Sequence, residues 1–291
     1  MRYEGPIYRP PSEADSLLIQ ATVGCPHNKC TFCMVYKKGP KFKVRPPEDI
    51  IEDMHAARKQ VGSSVRTMFL PAGNSIAVPS EDLARICRAA REIFPLLERI
   101  TVYGSAKYIL DKGENTMRYL AQAGLSRVHM GLESGSDEVL RRIKKGADRE
   151  EQIRAGQMLS RAGIQNSTYV MLGIGGKELT VEHAQETASA VNAISPDFVR
   201  VRTFLPKVQT PLLGQIEKGE FLMVTPHEAL QELRCLIADT TCQTRLTSDH
   251  YTNYIQAQGV LPKDREWLLD QVDKALSWDE NSFRPVYVGT Q

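Results

Sequence analysis

Three of the chain's six cysteines stand within nine positions, in the stretch GCPHNKCTFCMVYK at residues 24–37. Cys25, Cys30 and Cys33 follow the spacing C-x4-C-x2-C, and thiolates are soft donors that select zinc, copper(I) or iron–sulfur clusters. Four such donors close a metal site, whereas three leave one position open to a substrate or cofactor. A closed zinc site would have to recruit His27 or a distant cysteine, and Cys87, Cys235 and Cys242 form no second C-x2-C pair. Three unrelated buried cysteines would not cluster, nor sit among His27, Asn28 and Lys29. The third explanation is a 4Fe–4S cube held by three thiolates, with one iron free of protein ligands. A zinc-stabilised binding module, or an electron carrier, is the competing non-enzymatic class.

A loop can hold such a group only if rigid elements fix both of its ends. The chain alternates short β-branched runs with segments of helical period. Strands are expected at 16–23, 65–72, 99–104, 126–131, 165–173 and 197–204. Between them, SEDLARICRAAREIF places Leu83, Ile86, Cys87, Ala90, Ile93 and Phe94 on one helical face, with Ser80 as the expected N-cap. TVEHAQETASAVNAI does the same with Val181, Ala184, Ala188, Val191 and Ile194. Six βα units predict a parallel sheet in an α/β protein, and the cysteines stand where a doubly wound sheet would carry its Gly-rich turn. The fold class is therefore α/β, a partial (β/α)6 TIM-type barrel whose strand ends carry the chemistry.

The pattern changes at Pro211. Thr225, Pro226 and Glu228 make a capping box ahead of one amphipathic helix, and LPKDREWLLDQVDKAL supplies another. The division expected is 1–210 for the barrel with its lead-in and 211–291 for a helical C-terminal extension packed on it. Arg200, Arg202 and Lys207 flank the sixth strand. Arg200 and Arg202, two apart, share a face; these two, Lys207, and His129 on the fourth strand are the substrate candidates. His55, His183 and His227 sit on helices and are expected to be solvated.

The 42% hydrophobic and 25% charged fractions are those of an ordinary globular chain, and no apolar run reaches the length that spans a bilayer. The N-terminal stretch has no basic start followed by an apolar core, so the expected location is cytoplasmic, where thiols stay reduced. A net charge of +2, evenly spread, gives no basic run of the kind that tracks a phosphate backbone, so nucleic acid is unsupported at this stage.

The cysteine loop resembles that of the radical S-adenosylmethionine enzymes, whose commonest spacing is C-x3-C-x2-C. One extra residue stands here between the first two cysteines. The resemblance runs over about residues 16–205 and follows the strand order. It implies that Cys25, Cys30 and Cys33 hold a 4Fe–4S cluster whose open iron is chelated by S-adenosylmethionine, with Phe32 by the adenine. Gly73 and Asn74 in FLPAGNS stand where the methionyl amino group is received, and Ser105 where polar groups reach the ribose. GLESGSDEVLRRIKKG is similar to a segment of the methylthiotransferase and coproporphyrinogen-dehydrogenase branches. There Glu133 would accept from the ribose hydroxyls, and Lys145 or Arg142 would meet the carboxylate. Backbone near Leu172 and Gly173 would approach the adenine.

The resemblance further implies an oxidoreductase-like enzyme that cleaves S-adenosylmethionine to a 5′-deoxyadenosyl radical, works anaerobically, and draws its electron from a flavodoxin- or ferredoxin-type reductant. On this reading the chain is expected to act without the Cys-rich amino-terminal domain and RNA-binding tail of the methylthiotransferases; 24 residues precede Cys25. The substrate expected is therefore a small molecule, with an RNA substrate as the alternative.

Overall fold

The computed structural model describes residues 1–35 and 39–289. Its first strand candidate splits in two. β1 (Leu17–Leu18) enters the main sheet, and β2 (Thr22–Val23) leaves it to pair antiparallel with β3 (Lys43–Val44). That ribbon closes the base of the loop that carries the cysteines.

From there the chain repeats βα units. In order come α1 (Pro47–Val61), β4 (Thr67–Leu70), α2 (Ser80–Ile93), β5 (Arg99–Gly104), α3 (Ala106–Lys112), α4 (Glu114–Gln122) and β6 (Arg127–Glu133). Then follow α5 (Asp137–Arg142), α6 (Arg149–Arg161), β7 (Gln165–Leu172), α7 (Thr180–Ile194), β8 (Phe198–Thr203), α8 (Pro211–Glu217) and α9 (Pro226–Asp239). β9 (Thr244–Thr247), β10 (Gln258–Leu261) and α10 (Arg265–Leu276) complete it. Among the described residues the main sheet has the order β1-β4-β5-β6-β7-β8-β9-β10, parallel as far as β9. Parallel neighbours joined through helices put those helices on one face of the sheet, which is the architecture of an open α/β barrel.

The alternation along each strand separates two interiors. Met68, Leu70, Ile100, Val102, Val128, Met130, Val170, Val199 and Val201 face the helices and form the large apolar core. The alternate set, Phe69, Thr101, Tyr103, His129, Ser167, Tyr169 and Arg200, faces the lumen. The registers Tyr103↔His129, His129↔Ser167 and Tyr169↔Arg200 lay these side chains in tiers.

Residues 211–291 differ from a purely helical extension, because β9 and β10 continue the sheet. β9 lies parallel to β8, and β10 pairs antiparallel with β9. Neither carries an apolar run: TRLT alternates polar residues and QGVL opens on Gln and Gly. Both helices expected here form, α9 with its Thr225–Glu228 capping box. Two details of the helices also change. The residue before α2 is Pro79, and Ser80 is the first helical residue, its hydroxyl accepting from Lys112 Nζ at 3.0 Å. On α7 the buried face is rotated: Val181 is 66% exposed, while His183 and Thr187 are buried. No helix among the described residues is long and apolar enough to cross a membrane.

Candidate active site

The cysteine loop lies at the C-terminal ends of the strands, tied down on three sides. Gly73 N–H donates to Gly24 O at 3.1 Å, Thr31 N–H to Ile143 O at 2.9 Å, and Leu212 N–H to Thr31 O at 3.1 Å. Gly24 has φ +72, and a Cβ there would meet Pro40 O at 2.8 Å, so glycine is needed where the loop leaves β2. His27 Nε2 lies 2.8 Å from Lys144 O, and its ring fills the space beside Gly146. That docks the loop on the turn after α5. Phe32 packs on a second apolar cluster with Val139, Leu140, Met171 and Phe204.

Cys25, Cys30 and Cys33 are all half-buried. Burial pushes the Cys30 thiol up to about 11; Lys145 opposes that shift, and Cys33, Glu133 and Cys25 add to it. The three sulfurs, one cation and one carboxylate thus share a single electrostatic neighbourhood. Among the described residues no set of His, Cys, Asp and Glu converges as tightly as a single metal ion requires. A four-iron cube spreads its thiolates over its corners, wider than the tetrahedron around one ion. Three soft, half-buried donors beside a cation fit the cube, and His27 uses its Nε2 on Lys144 O.

Next to the loop stands the ion pair Lys145 Nζ–Glu133 Oε1, 2.8 Å long, with side chains only 9% and 11% exposed. Burial works against the Lys145 charge, but Glu133, Cys30 and Cys33 together hold its pKa above the usual lysine value. Glu133 is reached through a bulge: the β6–β7 register shifts between Gly131 and Glu133, and Glu133 adopts φ +66. A Cβ on Gly131 would fall 2.5 Å from Glu133 Oε1 and 2.6 Å from Lys145 Nζ. Asn28, Ala72 and Lys144 are also non-glycine residues at positive φ, and each lies in a segment bordering this site. Strain of that kind persists only where surrounding structure enforces it.

Of the two basic residues expected near the cofactor, Lys145 is the one at the cysteines. Arg142, 41% exposed, pairs with Glu138 and Glu178, because it closes α5 on the outer side of the same turn. Asn74 and Ser105 hold each other: Asn74 Nδ2 donates to Ser105 Oγ at 2.9 Å, and Ser105 N–H to Asn74 Oδ1 at 3.0 Å. Leu172 turns its side chain into the core, and its carbonyl accepts from Phe204 N–H. Gly173, at φ +77, donates its N–H to Glu232 Oε2 at 2.6 Å.

Glu232 belongs to a buried network that sequence reasoning missed. Thr180 Oγ1 donates to Glu232 Oε1 at 2.6 Å, and His183 Nε2 lies 3.6 Å from Glu232 Oε2. His183 Nδ1 meets Ser134 Oγ at 2.8 Å, and Thr187 Oγ1 accepts from Gly135 N–H. His183, 1% exposed, is therefore not solvated. Burial pushes Glu232 up to about 7 and His183 down to about 4. The network joins the Glu133–Ser136 turn, the Gly173 turn and α9.

Below the mouth, the substrate candidates divide. His129 is fully buried; its Nε2 lies 2.9 Å from Oε1 of Glu13, which the short turn Pro11–Glu13 inserts into the lumen. Arg99, Ser16 and, at 4.0 Å, Arg127 also face Glu13. The His129 ring lies among Phe69, Tyr103 and Tyr169. Higher up, Arg200 is buried against Ser167 and Thr247 hydroxyls, Arg202 is half-buried, and Lys207 Nζ donates to Tyr251 Oη at 3.1 Å.

Fold and site together define an α/β-barrel protein that presents three thiols and a buried Glu–Lys pair at the strand C-termini. The Radical SAM superfamily profile matches residues 19–191, and the chain belongs to that superfamily, enzymes that use a 4Fe–4S cluster and S-adenosylmethionine. Among curated proteins it is similar to a tRNA-2-methylthio-N(6)-dimethylallyladenosine synthase of Halalkalibacterium halodurans. The two are 24% identical over 242 residues, 81% of this chain and 44% of that protein. It is also similar to a tRNA uridine(34) acetyltransferase of Methanocaldococcus infernus, 27% identical over 119 residues, 40% of this chain and 22% of the other. The chain thus spans less than half the length of these relatives. The fold is shared with the radical SAM coproporphyrinogen III oxidase of Escherichia coli, at TM-score 0.58 and 19% identity over 77% of this chain and 51% of that one. It is shared as well with methylornithine synthase, at TM-score 0.55 and 15% identity over 89% and 81%.

Proposed function

We propose that this chain cleaves S-adenosylmethionine reductively and acts on a small molecule held in the barrel lumen. The bound cluster and S-adenosylmethionine supply a 5′-deoxyadenosyl radical able to abstract hydrogen from an unreactive carbon. The observation that carries this reading is the buried Glu133–Lys145 pair, held at a strained bulge directly beside the cysteine loop.

The chain's own residues have distinct tasks in this reading. Cys25, Cys30 and Cys33 hold the cube. Lys145 meets the methionyl carboxylate, and Glu133, paired with it, accepts from the ribose hydroxyls. Gly73 leaves space for the amino group, while Asn74 and Ser105, bonded to each other, present a polar edge to the ribose. Phe32 and the turn at Leu172 and Gly173 flank the adenine. The apolar cluster of Val139, Ile143, Met171 and Phe204 under Phe32 excludes water from the mouth. The electron comes from a flavodoxin- or ferredoxin-type protein. The test is anaerobic reconstitution with iron and sulfide, reduction, and chromatographic assay of 5′-deoxyadenosine. The native chain should release it and Cys30→Ala should not; an intact cofactor beside a well-formed cluster, with substrate mixtures supplied, would refute the reading.

A second reading takes tRNA as the target. Its support is the names of the curated relatives, both of which specify tRNA. The expectation that nucleic acid lacks support, drawn from charge alone, is corrected on that ground. Binding of tRNA that weakens steeply between low and moderate salt would favour this reading.

A further inference from the structure

The lumen carries more positive charge than its carboxylates balance. Glu13 is engaged by Arg99 at 3.1 Å and His129 at 2.9 Å, with Arg127 at 4.0 Å. Glu133 is engaged by Lys145. His129, pushed down to about 4 by its burial, adds no charge at neutral pH. That leaves Arg200 and Arg202. Arg200 is 7% exposed, and among the described residues its partners are neutral hydroxyls and the Phe198 ring. Arg202 is half-buried, and among the described residues it makes neither an ion pair nor a hydrogen bond. A guanidinium removed from water without a partner is unfavourable, and its planar fork is shaped for a carboxylate or phosphate oxygen pair.

Its position is fixed by register. Arg202 pairs with Met171 on β7, on the lumen face that Arg200 and Tyr169 share one tier lower. Glu133 lies on β6, two strands away, which separates Arg202 from the Lys145 corner by about 10 Å at the usual strand spacing. The half-buried His250, after β9, faces the same corner. Its pKa is pushed down to about 3, first by burial and then by Arg202 and Lys207, with no carboxylate among the groups acting on it. The lumen floor beneath is aromatic, with Tyr103 and Tyr169 half-buried.

We infer that Arg202, with Arg200 beneath it, receives an oxyanionic group of the substrate, a carboxylate or phosphate ester, so that the substrate enters anion-first over the Tyr103–Tyr169 floor. The inference rests on the reading that the lumen holds the substrate. The polymer backbone of a nucleic acid is disfavoured because the guanidinium faces into the barrel.

The test uses the reconstituted holoenzyme with S-adenosylmethionine, and succinate and phenyl phosphate as probes at constant ionic strength. Each probe that binds should raise the thermal midpoint with the logarithm of its concentration. Arg202→Met should lose that rise and Arg202→Lys should keep part of it, while both bind S-adenosylmethionine as the native chain does. Preference between the two probes assigns carboxylate or phosphate. Equal rises in native chain and Arg202→Met would overturn the inference, as would no rise with either probe. Loss of S-adenosylmethionine binding in Arg202→Met would move Arg202 to the cofactor and overturn it as well. Stabilisation by tRNA alone would do the same. These readouts do not depend on cofactor cleavage, so failure of the catalytic reading is seen separately.

Discussion

Glu133 Oε1 lies 2.8 Å from Lys145 Nζ, across twelve residues of bulge, helix and turn, and both atoms occupy the volume a side chain on Gly131 would need. A glycine in a strand usually marks close approach by another group; here that group is an ion pair. Gly131→Ala should therefore displace the pair without touching the cysteines. The expected outcome is normal iron and sulfide content after reconstitution with at least tenfold weaker S-adenosylmethionine binding, read by equilibrium dialysis.

Removing one partner of a buried pair leaves the other charge uncompensated, at about 3–5 kcal/mol. Lys145→Met should accordingly lower stability more than the double variant Lys145→Met, Glu133→Gln, in which no charge is stranded. Urea unfolding of the apo chains measures this order. Neither variant should recover 5′-deoxyadenosine release, because the pair's proposed task is to hold the cofactor.

The barrel strands were legible because β4 to β8 are short runs rich in apolar, aromatic or β-branched residues, separated by helices of clear period. β9 and β10 were not, since TRLT and QGVL have neither an apolar run nor full alternation, and their pairing is decided by the neighbour β8 offers. At the site, cysteine spacing identified the loop, and the resemblance pointed to Glu133 and to either Lys145 or Arg142. Glu13 left no local signal: its partner His129 is 116 residues away. His183 read as a solvated position on an amphipathic helix and Glu232 carried no signal; the packing of α7 against α9 buries both. Arg142 and Lys145 are indistinguishable in RRIKKG until the turn after α5 sends one outward and one in.

The Gly173 turn depends on α9 through Glu232. Glu232→Leu would leave the buried Gly173 N–H unsatisfied, a penalty of about 1–3 kcal/mol, and would take away the acceptor of the half-buried Thr180 hydroxyl. Glu232→Gln keeps one acceptor and should be milder. Hydrogen exchange at Gly173 and neighbouring amides is the measurement: protection should fall in Glu232→Leu and largely persist in Glu232→Gln.

The lumen floor should make the protein acid-sensitive over two adjoining ranges. Glu13 is held down at about 2 although burial opposes this, through its bonds to His129 and Ser16 and the nearby Arg99. A depressed carboxylate binds fewer protons folded than unfolded, so its stabilisation is present above its ordinary value near 4.5 and is lost as pH falls toward 2. His129 is lowered to about 4, chiefly by burial. It must stay neutral in the fold, so its contribution is present above about 6.5 and is lost as pH falls from there toward 4. Both act in the same direction, and stability should drop continuously from pH 6.5 downward. His129→Phe fills the aromatic surround formed by Phe69, Tyr103 and Tyr169 and removes the upper range, while Glu13 keeps Arg99, Ser16 and the more distant Arg127. Urea midpoints of the apo chain across pH 3 to 7 should thus show the 4-to-6.5 slope flattened in His129→Phe. An unchanged slope would place the acid sensitivity elsewhere, and would mean that His129 is already charged in the folded lumen.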